Sequence, residues 1–130
     1  MFFVDIAVRD YECDQQGIVN NAVYQNYLQH ARHEFGRSVG LDWLELGRRG
    51  IDMVLRRAEL DYLRPLEPGM RIRVTAEPRR RGKFRFFFDQ EIRILPEETV
   101  AVRALMTVAC VVDGRPAAPE ELDLWFGPPN

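Results

Sequence analysis

The chain has 130 residues and a mass of 15.2 kDa, the size of one domain spanning residues 1–130, which excludes two independent cores. Hydrophobic residues make up 46% and charged residues 29%, enough apolar surface for a real core and too much for a disordered chain. The net charge of -2 excludes a global positive field that would attract nucleic acid or anionic lipid.

In chain order, residues 2–9 alternate and are rich in β-formers, which predicts a first strand. A polar, Gly-containing turn follows from Asp10 to Asn20. Tyr24, Tyr27, Leu28, Ala31, Phe35 and Val39 then recur at three- and four-residue steps, one stripe of a helix with Asn20 or Asn21 as N-cap and Gly40 as stop. Residues 41–49 read as a short second helix or turn. Residues 51–63 form a long β-prone run whose alternation slips at Arg56-Arg57, the signature of a bulge. Residues 70–77 alternate as a half-buried strand, and Phe84, Phe86, Phe88, Ile92 and Ile94 repeat the pattern over 83–95, with Phe87 on the opposite face for a ligand tunnel or a subunit contact. Residues 99–112 are apolar on nearly both faces and predict a central strand. The turns Glu67-Pro68-Gly69, Arg81-Gly82 and Leu95-Pro96-Glu97-Glu98 are short enough for antiparallel hairpins. Pro116 and Pro119 precede a short apolar tail at 122–126. One long helix beside a five-stranded antiparallel sheet is an α+β domain, and the other sheet face takes part of its cover from a second copy.

No run approaches the roughly 18 apolar residues of a membrane helix, and the first residues lack a signal-peptide pattern, so a cytoplasmic protein is expected. Cys13 and Cys110 are widely separated, as suits a reducing compartment. The single serine, Ser38, and the two histidines, His30 and His33, crowd one segment and nearly exclude a Ser-His-Asp hydrolase. Cys110 lies in an apolar run and reads as core. The plentiful carboxylates are the better catalytic candidates.

The segment Asp14-Gln15-Gln16-Gly17-Ile18-Val19-Asn20-Asn21-Ala22-Val23-Tyr24 carries the most chemistry. A carboxylate in a Gly-containing loop just ahead of a helix lies near free backbone N–H groups and the positive end of the helix dipole. Such N–H groups stabilise an oxyanion while the carboxylate attacks or activates water. The plainer reading is that Asp14 orders the loop by side-chain to backbone bonds.

This segment resembles the Asp-x-x-Gly-x-Val-x-x-x-x-Tyr signature of hotdog-fold acyl thioesterases of the 4-hydroxybenzoyl-CoA thioesterase type. Residues 58–66, followed by Pro68-Gly69, are similar to that family's second-strand segment, and the resemblance runs from Phe3 to about Leu122. Asn20 to Tyr24, with Gln29 to Glu34, looks closest to the plant acyl-lipid thioesterase and methylketone-synthase branch. The resemblance implies a hotdog fold, Asp14 as catalytic carboxylate, and the backbone N–H of Asn21 polarising the thioester carbonyl. Related branches place a His at Ile18 or Asn21, which this chain lacks; Asn20, Asn21 or Gln16 is left to hold water. The implied reaction is hydrolysis of an acyl-CoA or acyl carrier protein (ACP) thioester without a cofactor, by a homodimer or homotetramer.

Arg79-Arg80-Arg81-Gly82-Lys83, with Arg85, is the dense basic cluster. It reads either as a wet hairpin tip or as a clamp for CoA phosphates or the acidic surface of an acyl carrier protein. Tyr24 and Tyr27 are candidates to line the acyl pocket. His30, His33 and Glu34 lack a metal-site order and read as a helix face or dimer contact. Glu59 and Asp61 share a strand face and read as pairing or Arg contacts. Two other functions compete: a non-catalytic acyl-thioester-binding protein, and a hotdog dehydratase or hydratase, which usually needs the missing His.

Overall fold

The computed structural model describes residues 1–130. The chain runs β1 (Phe2–Ala7), α1 (Asn21–Ser38), α2 (Trp43–Arg48), β2 (Asp52–Tyr62), β3 (Arg71–Arg81), β4 (Arg85–Ile94), β5 (Thr99–Val112), β6 (Arg115–Pro116) and α3 (Asp123–Phe126), with 3-10 turns at Asp10–Glu12 and Glu120–Leu122. All strand pairs are antiparallel, in the order β1-β3-β4-β5-β2, and the two-residue β6 adds a sixth strand beside β5. No helix is long and apolar enough to cross a membrane.

The helix forms where its apolar stripe predicts. Asn20 caps it, its side-chain oxygen accepting from the Ala22 N–H at 3.0 Å. Gly40 ends it at φ 81°, a left-handed turn in which its N–H reaches the Arg37 carbonyl at 3.1 Å. Tyr24, Tyr27, Leu28, Ala31 and Phe35 are buried because the stripe lies on the sheet. α1 packs chiefly over β1, β3 and β4, against an inner face that includes Ile72, Val74, Phe86, Phe88 and Ile92. The β2–β5 register slips between Leu55 and Arg57, the expected bulge. Beyond it, Ala58 and Leu60 on β2 are only half-buried.

The C-terminal segment is core, not tail. Trp125 is 2% exposed, donates its indole N–H to the Leu41 carbonyl at 2.8 Å, and packs edge-on against Phe35 and Trp43. Phe126 lies 4.9 Å from Phe86 and 5.2 Å from Phe88, centroid to centroid. Apolar length this short shows no periodicity in sequence, so only packing reveals its role. Phe84, expected in the core, is 54% exposed. It precedes β4 on the hairpin turn, where strand alternation does not reach. Phe87 lies on the outer sheet face beneath Arg79, whose guanidinium is 5.3 Å from its ring, and so stands away from the helix side.

The outer face is tied by ion pairs. Arg73 bonds Asp5 at 2.9 Å and Glu98 at 3.4 Å, Arg93 bonds Glu91 and Glu98, and Glu59 pairs with Arg57 at 3.3 Å. Each exposed pair is worth less than about 1 kcal/mol. The apolar inner face therefore holds the fold together.

Where α1 meets α3 there is no slack. A Cβ on Gly36 would stand 2.6 Å from Cζ2 of Trp125 and 3.0 Å from its Cη2. Gly36→Ala is expected to cost about 1–3 kcal/mol through overpacking, read as a lower urea midpoint at unchanged slope. An unchanged midpoint would show that the indole shifts freely.

Candidate active site

The loop between β1 and α1 is anchored by a carboxylate that sequence reading passed over. Glu12 is 8% exposed; its Oε1 accepts from the Arg9 N–H and from the Tyr27 hydroxyl, each at 2.8 Å. Burial, then the Glu12 bond, pushes the Tyr27 phenol well above its ordinary range, so Tyr27 remains a donor throughout the neutral range. Tyr27, a candidate for the acyl pocket, is thus locked under the loop as its support. An acidic residue next to other acidic residues looks solvated in sequence, and nothing local marks Glu12 as buried.

From Glu12 the chain folds back on itself. Cys13 and Val19 form a bridge, the Asp14 N–H donates to the Ile18 carbonyl at 2.9 Å, and the Gly17 N–H donates to the Asp14 carbonyl at 3.0 Å. Gly17 takes φ 75°, which a side chain would strain. The Asn20 N–H returns to the Glu12 carbonyl at 3.0 Å, and the Val19 N–H reaches the Leu66 carbonyl at 2.8 Å. Tyr24 is buried; its hydroxyl accepts from the Leu66 N–H at 3.2 Å, and its ring meets Tyr62 edge-on at 5.2 Å. The loop is therefore clamped between α1 and the segment that leaves β2.

Asp14 itself is exposed. Its Oδ1 accepts from the Gln16 N–H at 2.8 Å, the loop-ordering bond of the plainer reading, while Oδ2 makes no hydrogen bond within the chain. Seven residues on, the Asn21 N–H at the first position of α1 has no acceptor in the chain. The Asn20 side-chain oxygen is spent on the cap, and the Gln16 side chain is exposed without a partner. The segment thus carries one free carboxylate oxygen and one free N–H at the positive end of an 18-residue helix.

The basic run does not form one patch. Strand side chains alternate, so Arg79 and Arg81 face out while Arg80 turns in. Arg80's side chain is 2% exposed. Its Nη1 donates to Asp123 and to the Gly127 carbonyl, each at 2.8 Å, and its Nη2 donates to the Lys83 carbonyl at 3.0 Å. Arg80 holds the C-terminal segment and has no reach to a substrate, which corrects its assignment to the clamp. Arg79 is paired with Asp89 at 3.1 Å. Arg81, Lys83 and Arg85 remain exposed. Arg85 joins Arg56, Arg57 and Phe84 along a groove of about 540 Å³ that also takes in Phe87 and Thr107. The β2 bulge brings Arg56 and Arg57 there, a juxtaposition that only strand pairing produces.

His30 is exposed and His33 half-buried, the latter beside Trp43 at 5.2 Å. Burial lowers the His33 pKa.

A curled antiparallel sheet around one long helix, entered through a carboxylate-bearing loop, is the hotdog architecture. Residues 8–126 match the thioesterase-like superfamily, and the chain belongs to it. It is similar to two Arabidopsis thaliana proteins named acyl-acyl carrier protein thioesterase, ATL3 and ATL2. The identities are 41% over 78% of this chain and 53% of ATL3, and 36% over 95% of this chain and 67% of ATL2. The chain therefore spans about half of the first of these relatives. A crystal structure of a hypothetical protein from Aquifex aeolicus superposes with a TM-score of 0.88 at 28% identity, covering 95% of this chain and 98% of that one.

Both thiols are raised above their ordinary pKa, Cys110 to about 11, with burial the main cause for each. A raised pKa leaves little thiolate at neutral pH. Cys110 is expected to resist an aromatic disulfide reagent at pH 7.5 until the protein is denatured, and to react faster as pH rises toward 11. Fast native-state labelling of Cys110 would contradict its burial.

Proposed function

We propose that this protein hydrolyses acyl thioesters of coenzyme A or acyl carrier protein, with Asp14 as the catalytic carboxylate. The observation that carries the reading is the pairing, on one clamped segment, of a free Asp14 oxygen with the free Asn21 N–H. Membership of the thioesterase-like superfamily and the names of the Arabidopsis relatives support it. The thioester carbonyl accepts from the Asn21 N–H, where the helix dipole favours the growing negative charge. Asp14 Oδ2 then either attacks the carbonyl carbon, expelling the thiolate and leaving a mixed anhydride that water cleaves, or takes a proton from the attacking water. In heavy-oxygen water under single turnover, label in Asp14 marks the first route, with water opening the anhydride at the Asp14 carbon. Label in the free acid alone leaves either the second route or opening of the anhydride at the acyl carbon, and trapping of an acyl-Asp14 adduct by hydroxylamine separates those two. Asp14→Asn is expected to lower kcat by at least about 1,000-fold with the melting temperature preserved; a fully active variant would falsify the assignment.

The exposed cations Arg56, Arg57, Arg81, Lys83 and Arg85 suit the carrier's phosphate oxygens, which arginine forks bind. Within one chain this groove and Asp14 stand at opposite ends of β2. Arg85 lies at the Val54 end, through the β4–β5 and β5–β2 registers, whereas Leu66, beyond Tyr62, holds the Asp14 loop. Eight residues of strand separate those ends, about 25 Å. β2 is also an edge strand with Val54, Leu55 and Tyr62 at least 41% exposed. Antiparallel pairing of two such edges reverses one of them and sets one protomer's basic groove beside the partner's Asp14. The working unit is then a homodimer, alone or within a tetramer. Mixing inactive Asp14→Asn protein with inactive Arg56→Glu/Arg85→Glu protein, after denaturation and refolding together, is expected to restore up to about a quarter of wild-type activity through mixed dimers. No recovery, with dimers formed, would overturn a site shared between the protomers.

A further inference from the structure

The chain buries one cation without an anion. Arg32, in the middle of α1, is 5% exposed. No carboxylate of the chain bears on its guanidinium, which burial alone pulls down to about 10. Its Nη1 donates to Gln90 Oε1 at 2.9 Å. Nε and Nη2 have no acceptor in the chain, yet neither is sealed away from the outside. Buried charges are ordinarily paired, because desolvation is otherwise uncompensated. An arginine that merely filled space would also extend its head to water.

Gln90 prevents that. It is 2% exposed, and its Nε2 donates to the Leu28 carbonyl at 3.1 Å and the Thr75 carbonyl at 3.0 Å. Its Oε1 is thereby aimed at Arg32. Nε and Nη2, the two nitrogens left free, form the side-on fork of a guanidinium, the geometry that a carboxylate meets with two parallel bonds.

The position is as specific as the chemistry. Asn21, Gln25, Leu28 and Arg32 follow one another at i, i+4, i+7 and i+11, a single stripe of α1. Gln90 pairs across the sheet with Ala104, and Ala104 with Leu60, a low row leading to the strands that α1 leaves uncovered. From Asn21 to Arg32 is about 16 Å along the helix, the span of an extended chain of roughly a dozen carbons.

We propose that Arg32, oriented by Gln90, is the specificity-determining residue at the far end of the acyl site, and that it selects acyl groups ending in a carboxylate. The proposal rests on the thioesterase reading for the place of the carbonyl, at the Asn21 N–H. A carboxylate of a second copy of the chain is the competing counter-ion.

The test compares two CoA thioesters of equal length, lauroyl-CoA and the monothioester of dodecanedioic acid. The wild-type protein is expected to favour the diacid thioester at least tenfold in kcat/KM. Arg32→Met should reduce that ratio about 100-fold, and Arg32→Lys, which keeps the charge and loses the fork, should recover part of it. Arg32→Met replaces an unpaired buried charge by an apolar stem, so it is expected to melt at or above the wild-type temperature. Titration calorimetry with laurate and dodecanedioate reads the same preference without turnover. Diacid binding that depends on Arg32, with neither thioester hydrolysed, would sink the thioesterase reading and leave this one standing. No diacid preference in turnover or binding, or a ratio unmoved by Arg32→Met, would overturn the proposal. Dissociation of the Arg32→Met dimer would assign the counter-ion to the second copy instead and would equally overturn it.

Discussion

One helix cannot cover five strands, and the molecule is arranged around that shortfall. A helix with its side chains is about 10–12 Å across and neighbouring strands are about 4.8 Å apart, so α1 shields roughly three of them. It lies over β1, β3 and β4. The segment from Leu122 to Phe126 fills the space beside Phe86 and Phe88. Beyond the helix the inner face of β5 is buried through Val102, Ala104 and Met106, whereas Ala58 and Leu60 on β2 are only half-buried. The free edge of β2, the stripe from Asn21 to Arg32 and the loop at the helix entrance all border this strip, which α1 does not cover. The candidate chemistry lies along the same strip, whose β2 side is the part the chain leaves half-open.

Charge in this protein is sorted by the two-residue period of the strand. Arg79, Arg80 and Arg81 are consecutive in sequence, yet the pleat sends the middle one inward to hold Asp123 and the Gly127 carbonyl and the outer two to the wet face. Burial raises the cost of leaving such a group unpaired, and the interior meets that cost in two of three cases. Glu12 is met by the Arg9 N–H and the Tyr27 hydroxyl, and Arg80 by a carboxylate and two carbonyls. Arg32 has only a neutral amide. A general tolerance of buried charge does not explain that difference, since the other two groups show full pairing.

Much of the architecture was legible beforehand. The apolar stripe of α1, its Asn20 cap, the Gly40 stop and the bulge at Arg56 are local, since each is set by periodicity or by backbone preference within a few residues. The Asp14 loop was legible for the same reason, with Gly17 supplying the left-handed turn and Asn20 the cap. The role of the C-terminal segment was not. Trp125 and Phe126 are too few for a period, and their burial depends on Gly36 and Leu41, about 85 residues away in sequence. Phe84 failed in the opposite sense, because alternation ends where the hairpin turn begins.

By itself, then, the sequence determined what neighbours along the chain decide: which segments become helix and strand, where they stop, and which carboxylate precedes the helix. Only the tertiary structure decided which charges are usable. Whether an arginine is a clamp, a strut or an unpaired cation depends on the strand face it occupies and on the groups that pairing brings across the sheet. Arg56 meets Phe84 and Arg85, and Arg32 meets Gln90, because β-sheet registry joins residues tens of positions apart, a distance over which no local pattern carries information.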